Sequence, residues 1–177
     1  MRTSIHLSRV AALAALILSA TTAANAQVAT AYTHSQTSGT FTLNTSTGTV
    51  LWNNGLFGTF DDNVSGAITI PSFKFNGTAY TQIYVSNNGY ITFGSAPSGT
   101  NYTPLSSAAA YAGAVAGFGQ DLWSPPGALI ANSDVRHYAE GAEYVVQWRN
   151  VRRYLGGPHI TERLSFQIRL NTTTNAI

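Results

Sequence analysis

Residues Leu164 to Leu170 alternate without a break. Leu164, Phe166, Ile168 and Leu170 fall at every second position, with Ser165, Gln167 and Arg169 between them and Arg163 before them. A period of two places the apolar set on one side of an extended chain, whereas a helix would scatter it around its axis. The run therefore predicts a strand with one face buried and the other wet. Glu143 to Arg149 repeats the pattern, with Tyr144, Val146 and Trp148 against Glu143, Val145, Gln147 and Arg149. Gly156-Gly157-Pro158 lies between the two runs, so they predict an antiparallel hairpin. Only even register shifts keep both apolar faces together, which allows Trp148 opposite Leu164 or Phe166. Asn150 would point inward in an unbroken strand, so a bulge or strand end is expected over 150–152.

Further hairpins follow from turn chemistry. Ala79–Val85 and Tyr90–Phe93 flank Ser86-Asn87-Asn88-Gly89, whose Asn-Gly pair predicts a type I′ turn. Asn76-Gly77 separates Ser72–Phe75 from the Ala79 strand in the same manner. Ala67–Ile70 stops at Pro71, as an edge strand or bend would. Loops are expected over Asn53–Asn63 and over Ser95–Ser107, which is rich in serine, glycine and proline. Ala108–Gln120 is small and apolar, consistent with a buried strand or a helical turn. Recurrent short strands between turn residues predict an all-β, antiparallel, jelly-roll-like β-sandwich.

The first 26 residues stand apart. Arg2 and Arg9 precede the apolar run Val10–Leu18, and Ala24-Asn25-Ala26 fits a small-residue cleavage site. These are the marks of a secretory signal peptide, with Gln27 as the new first residue. The run is too short for a membrane span, which needs about 20 residues. No later stretch is long and apolar enough to be a transmembrane helix. The remaining chain, 27–177, is expected to form one domain. It carries one lysine and six arginines against seven acids, a formal charge of zero. The precursor's pI of about 9.0 is therefore no sign of nucleic-acid binding. With no cysteine, stability must come from core burial.

No G-x-S-x-G elbow is present, and His34 and His137 are expected on strands and His159 in a turn, so nucleophilic catalysis is not expected. No H-E-x-x-H or cysteine set suggests zinc. Asp61-Asp62 with Asn63, joined by Asp121, offers hard oxygen ligands suited to Ca²⁺, although short Asp and Asn side chains more commonly close turns. Glu143 is expected on the solvent side of its strand, opposite Arg169. Trp148 belongs to the core pattern. Trp52 and Trp123 adjoin loops and are candidates for ligand contact, with loop anchoring the commoner role. Arg149, Arg152, Arg153, Arg163 and Arg169 cluster on one hairpin and are expected on its wet face.

The order of elements carries a resemblance. Thr59-Phe60-Asp61-Asp62 leads to Ile68-Thr69-Ile70-Pro71 and Phe73-Lys74-Phe75-Asn76-Gly77. Val85-Ser86-Asn87-Asn88-Gly89-Tyr90-Ile91-Thr92-Phe93-Gly94 follows, then Gly117-Phe118-Gly119-Gln120-Asp121-Leu122-Trp123, Val145–Val151 and Phe166–Leu170. From Tyr32 onward this resembles the nidogen-like extracellular domain. It is similar to the N-terminal β-sandwich of large secreted Bacteroidetes-type surface proteins. The resemblance implies a non-catalytic secreted or cell-surface adhesion module whose partner is an extracellular protein or glycan surface, without cofactor. It also implies that the sequence stops before a last strand, leaving an open sheet edge. The alternative is an N-terminal accessory, carbohydrate-binding domain of an exported hydrolase. Contact residues on either reading are Trp52, Asp61, Asp62, Asp121 and Trp123.

Overall fold

The computed structural model describes residues 33–55, 58–105, 111–154 and 162–177. The expected leader (1–26), the Gly156–Pro158 turn and His159 lie outside them. The described residues contain no helix and ten strands in two antiparallel sheets. The strands are β1 (Thr49–Asn53), β2 (Phe60–Asp61), β3 (Ile68–Phe75), β4 (Thr78–Ser86), β5 (Tyr90–Phe93), β6 (Gly113–Ala116), β7 (Leu122–Ser124), β8 (Asp134–Glu140), β9 (Glu143–Arg153) and β10 (Leu164–Asn171). One sheet runs β1-β8-β9-β7-β2, with β10 also paired to β9, and the other runs β3-β4-β5-β6. The all-β sandwich expected from the alternating runs is the fold.

The core lies between the sheets. Phe73, Ile83, Val85, Ile91 and Phe93 face it from the smaller sheet, and Leu122, Val135, Val146, Trp148, Val151 and Leu170 from the larger. Trp148 is fully buried, stacks on Phe166 at 5.0 Å, and donates its indole N–H to the Ser86 carbonyl at 3.2 Å. That bond crosses from one sheet to the other. Trp148 pairs with Phe166 in the ladder, one of the two registers the alternation permits. The ladder then slips between Leu164 and Phe166, and Asn150 takes a φ of 52°. The slip turns Asn150 away from the apolar face, and its amide bonds the Ala131 and Asn132 carbonyls instead.

Four expectations require correction. The Ser86–Gly89 turn is not type I′. Neither Asn87 nor Asn88 has positive φ; Gly89 alone does (85°), and its N–H donates to the Ser86 carbonyl at 3.3 Å. Three residues separate the paired Ser86 and Tyr90, which suits a type I turn closed by a left-handed glycine. Asn76 and Gly77 do both take positive φ (49° and 79°), so the two-residue type I′ turn is there. Second, the outer face of β9 is not wet. Val145 and Gln147 are fully buried, and the chain around Asn44 lies across Gln147. The Asn44 N–H donates to Gln147 Oε1 at 2.9 Å, and Gln147 Nε2 returns a bond to the Asn44 carbonyl at 2.8 Å. Third, Arg152 is 4% exposed and lies over Trp123, so the five arginines do not share a wet face. Fourth, His34 lies on irregular chain rather than on a strand, whereas His137 is on β8.

The segments around Pro71 join into one edge strand, with the ladder interrupted between Thr69 and Phe73 where proline has no N–H to give. Of 108–120, Gly113–Ala116 is strand, and residues 108–110 lie outside the described chain.

Candidate functional site

At one end of the sandwich the chain crosses between sheets. β2 ends at Asp61, and Asp62 takes a left-handed φ of 53°, a conformation aspartate tolerates better than most residues. The Asp61 N–H donates to Asn63 Oδ1 at 3.0 Å, the side-chain turn chemistry expected there. The Asn63 carbonyl accepts the Asn87 N–H at 3.0 Å, and Val64 then bridges Ser86 in the second sheet. A loop packs over this crossing. A Cβ on Gly99 would stand 2.2 Å from the Asp62 carbonyl oxygen, so only glycine permits the approach. Tyr102 donates its hydroxyl to Asp62 Oδ2 at 3.2 Å, and Asn88 Nδ2 approaches Asp62 Oδ1 at 3.4 Å. Asp121 enters just ahead of β7, whose Trp123 pairs with Asp61.

One carboxylate oxygen from each of Asp61, Asp62 and Asp121 lies within 4.8 Å of the others. Partial burial, then the charges of Asp62 and Asp121, push Asp61 up to about 6, against an opposing backbone bond from Asp62. Asp121 is raised by burial and by Asp62. Burial, the bond to Asp62 and the neighbouring carboxylates push Tyr102 up to about 12. The folded chain therefore holds the Asp61 proton more tightly than the unfolded chain does. Between about pH 4 and 6 folding takes up a proton, so the Asp61 contribution to stability falls as pH rises through that window. Asp61 is exposed, and solvent damps the effect. The other four acids each make an ion pair: Asp134 with Arg136 and Arg149, Glu140 and Glu143 with the shared Arg169, and Glu162 with Arg153. Among the described residues, none makes an ion pair with the three clustered aspartates.

The two candidate tryptophans are not brought together. Trp123 is on β7, partly buried, with the Arg152 guanidinium 4.3 Å from its ring centroid and Tyr154 edge-on at 5.6 Å. Trp52 is on β1, packed against the core. Three strands separate β1 from β2, so Trp52 is about 19 Å from the aspartates, at about 4.8 Å per strand step.

A second feature escaped the sequence reading. Thr40–Thr47 forms a strap over the outer face of the larger sheet, enclosing a groove of 610 Å³ with Tyr138, Glu140, Gln167 and Arg169. Phe41, on the strap, is 52% exposed. Arg169 lies opposite Val145 rather than Glu143, but it reaches Glu143 diagonally through Nε at 2.6 Å and also binds Glu140 through Nη2. The signal was present in Gln147 and Gln167, whose amides bond each other at 2.8 Å and reach the strap at Asn44 and Thr42. Glutamines on an otherwise regular outer face mark backbone arriving from elsewhere. Under the strap, Asp134 is 2% exposed and accepts Arg136 Nε at 2.9 Å, Arg136 Nη2 at 2.8 Å and Arg149 Nη2.

Among the described histidines, His34 is exposed and His137 is bonded to the Tyr144 hydroxyl at 2.6 Å, with burial lowering its pKa. Neither makes a hydrogen bond to serine. A family model described as NIDO related matches residues 31–177. No curated protein and no solved structure matches the chain.

Proposed function

The chain belongs to the nidogen-related family, and from that premise we propose that it is an exported recognition module that works by surface contact and without catalysis. Export rests on the leader at 1–26, with 27–177 as the working domain. The groove under the Thr40–Thr47 strap carries the reading. It is open and polar, and it combines an exposed aromatic ring with an arginine and a carboxylate. Such a mixture suits contact with a protein or glycan surface. The same groove offers little to a hydrolase. Glu140 and Glu143 converge on one arginine, and no pair of carboxylates flanks an empty space for a sugar oxygen.

The accessory carbohydrate-binding reading draws on Phe41 and Tyr138, two rings bordering one groove. Binding of the exported chain to a glycan array and to a panel of extracellular proteins tests both. Saturable binding is expected on one of the two, weakened about tenfold by Phe41→Ala, the size of loss expected for one anchoring side chain. Glycan binding would select the accessory-domain reading. Turnover of ester, peptide or glycoside substrates would overturn both.

A further inference from the structure

We propose that Asn76 is a site of self-modification, where the Gly77 amide nitrogen attacks the Asn76 carboxamide and water completes its conversion to aspartate and isoaspartate. The sequence holds three Asn-Gly pairs: Asn54-Gly55, Asn76-Gly77 and Asn88-Gly89. Glycine has no Cβ to hinder closure of the five-membered ring, so residue type alone marks all three. The fold separates them. Asn54 is 8% exposed; its Nδ2 donates to the Pro125 and Ile130 carbonyls, and its Oδ1 accepts the Ser133 N–H at 2.9 Å. Asn88 is fully buried; its Nδ2 donates to the Gly99 carbonyl at 2.8 Å, and its Oδ1 accepts the Leu122 N–H at 2.8 Å. The nucleophile beside Asn88 is held too, because the Gly89 N–H donates to the Ser86 carbonyl. Neither carboxamide can turn onto its glycine nitrogen without breaking these bonds inside the protein.

Asn76 has the opposite setting. Residues 76–79 are all exposed at the tip of the β3–β4 hairpin, and a Cβ on Gly77 would meet nothing within 4 Å. The ladder closes between Phe75 and Thr78, which leaves the Gly77 N–H outside it. The reaction needs water alone. The Gly77 nitrogen gives up its proton and bonds to Asn76 Cγ, the Cγ–Nδ2 bond breaks, and ammonia leaves with that proton. Water then adds across one of the two carbonyl–nitrogen bonds of the ring. Cleavage at Cγ gives aspartate. Cleavage at the main-chain carbonyl gives isoaspartate, whose main chain runs through Cγ and is one atom longer. Nothing is oxidised or reduced. A two-residue turn has no room for the extra atom, so the Phe75–Thr78 pairing cannot persist unchanged. Phe75 stacks on Phe93 at 4.7 Å, so the disturbance begins at the rim of the core. What the strap groove binds has no bearing on this site.

Peptide mapping by mass spectrometry, on the whole chain incubated folded at mildly alkaline pH, tests the assignment. Conversion at Asn76 should run at least about tenfold faster than at Asn54 or Asn88, whose segments must open before they can react. In concentrated urea that protection is lost and the three rates should converge. Asn76→Gln would have to close a less favoured six-membered ring, so it should lose the fast conversion at this position. The isoaspartate form, purified by ion exchange, should melt below the parent. Asn76→Asp, which carries the charge without the extra atom, should melt close to it. Conversion in the folded chain no faster at Asn76 than at the two buried asparagines would overturn the assignment. An isoaspartate form that melts with the parent would overturn the disturbance of the hairpin.

Discussion

Trp148→Ala is expected to cost the domain about 3–5 kcal/mol, a large part of the roughly 5–15 kcal/mol that ordinarily separates folded from unfolded. Trp148 is the largest fully buried side chain. Its removal empties the space against Phe166, which itself stacks on Phe118 at 5.9 Å, so the ring layer loses one end. It also removes the indole N–H to Ser86, a direct side-chain bond between the sheets. Trp148→Phe separates the two effects. It keeps a ring against Phe166 and loses the donor and some volume, for an expected cost of about 1–2 kcal/mol. Urea unfolding of both variants checks the prediction. A loss under about 1 kcal/mol for the alanine variant would place the tryptophan outside the load-carrying core.

Asp134→Ala is expected to cost about as much, roughly 3–5 kcal/mol, for a different reason. Among the described residues, Asp134 is the only carboxylate bonded to two guanidinium groups that are themselves mostly buried, their side chains 6% and 14% exposed. Removing it leaves two positive charges in a site where burial has stripped their water. Arg136 also holds the Thr47 carbonyl at 3.0 Å, so the strap should loosen as the arginine moves. Combining Asp134→Ala with Arg136→Met and Arg149→Met should recover much of the loss, because the charges leave with their partner. Thermal melts of the single and triple variants decide this. Equal destabilisation in both would mean that the carboxylate acts by packing rather than by charge.

The local parts of this fold were legible in the residues. Alternation over Leu164–Leu170 and Glu143–Arg149 fixed two strands and narrowed their register to two choices, and the misfit of Asn150 located the bulge. What was hidden came from far along the chain. On the face assigned as wet, Gln147 is covered by Asn44, 103 residues away, and no period in β9 announces a covering strap. Asn76-Gly77 and Asn88-Gly89 look alike as dipeptides. They make different turns because Phe75 pairs directly with Thr78, whereas Ser86 pairs with Tyr90 across one more residue. At the candidate site, Asp61-Asp62 was visible as a pair. The crossing to the second sheet and the glycine-dependent approach of the 99–102 loop complete the cluster around Asp121, and neither leaves a mark in residue spacing. The arginines misled for a similar reason. Their spacing gave a hairpin face, but Trp123 from β7 reaches Arg152 and buries it.

Amide hydrogen exchange measures the central claim, that one core joins both sheets into a single cooperative unit. Val146 and Trp148 in β9 and Ile91 and Phe93 in β5 lie on interior strands of opposite sheets, and all four are fully buried. Their amides should exchange at a common slowest rate that tracks global unfolding, and the rate should rise together in Trp148→Phe. Exchange of the β5 amides well ahead of those in β9 would show that the sheets open separately and would contradict the account.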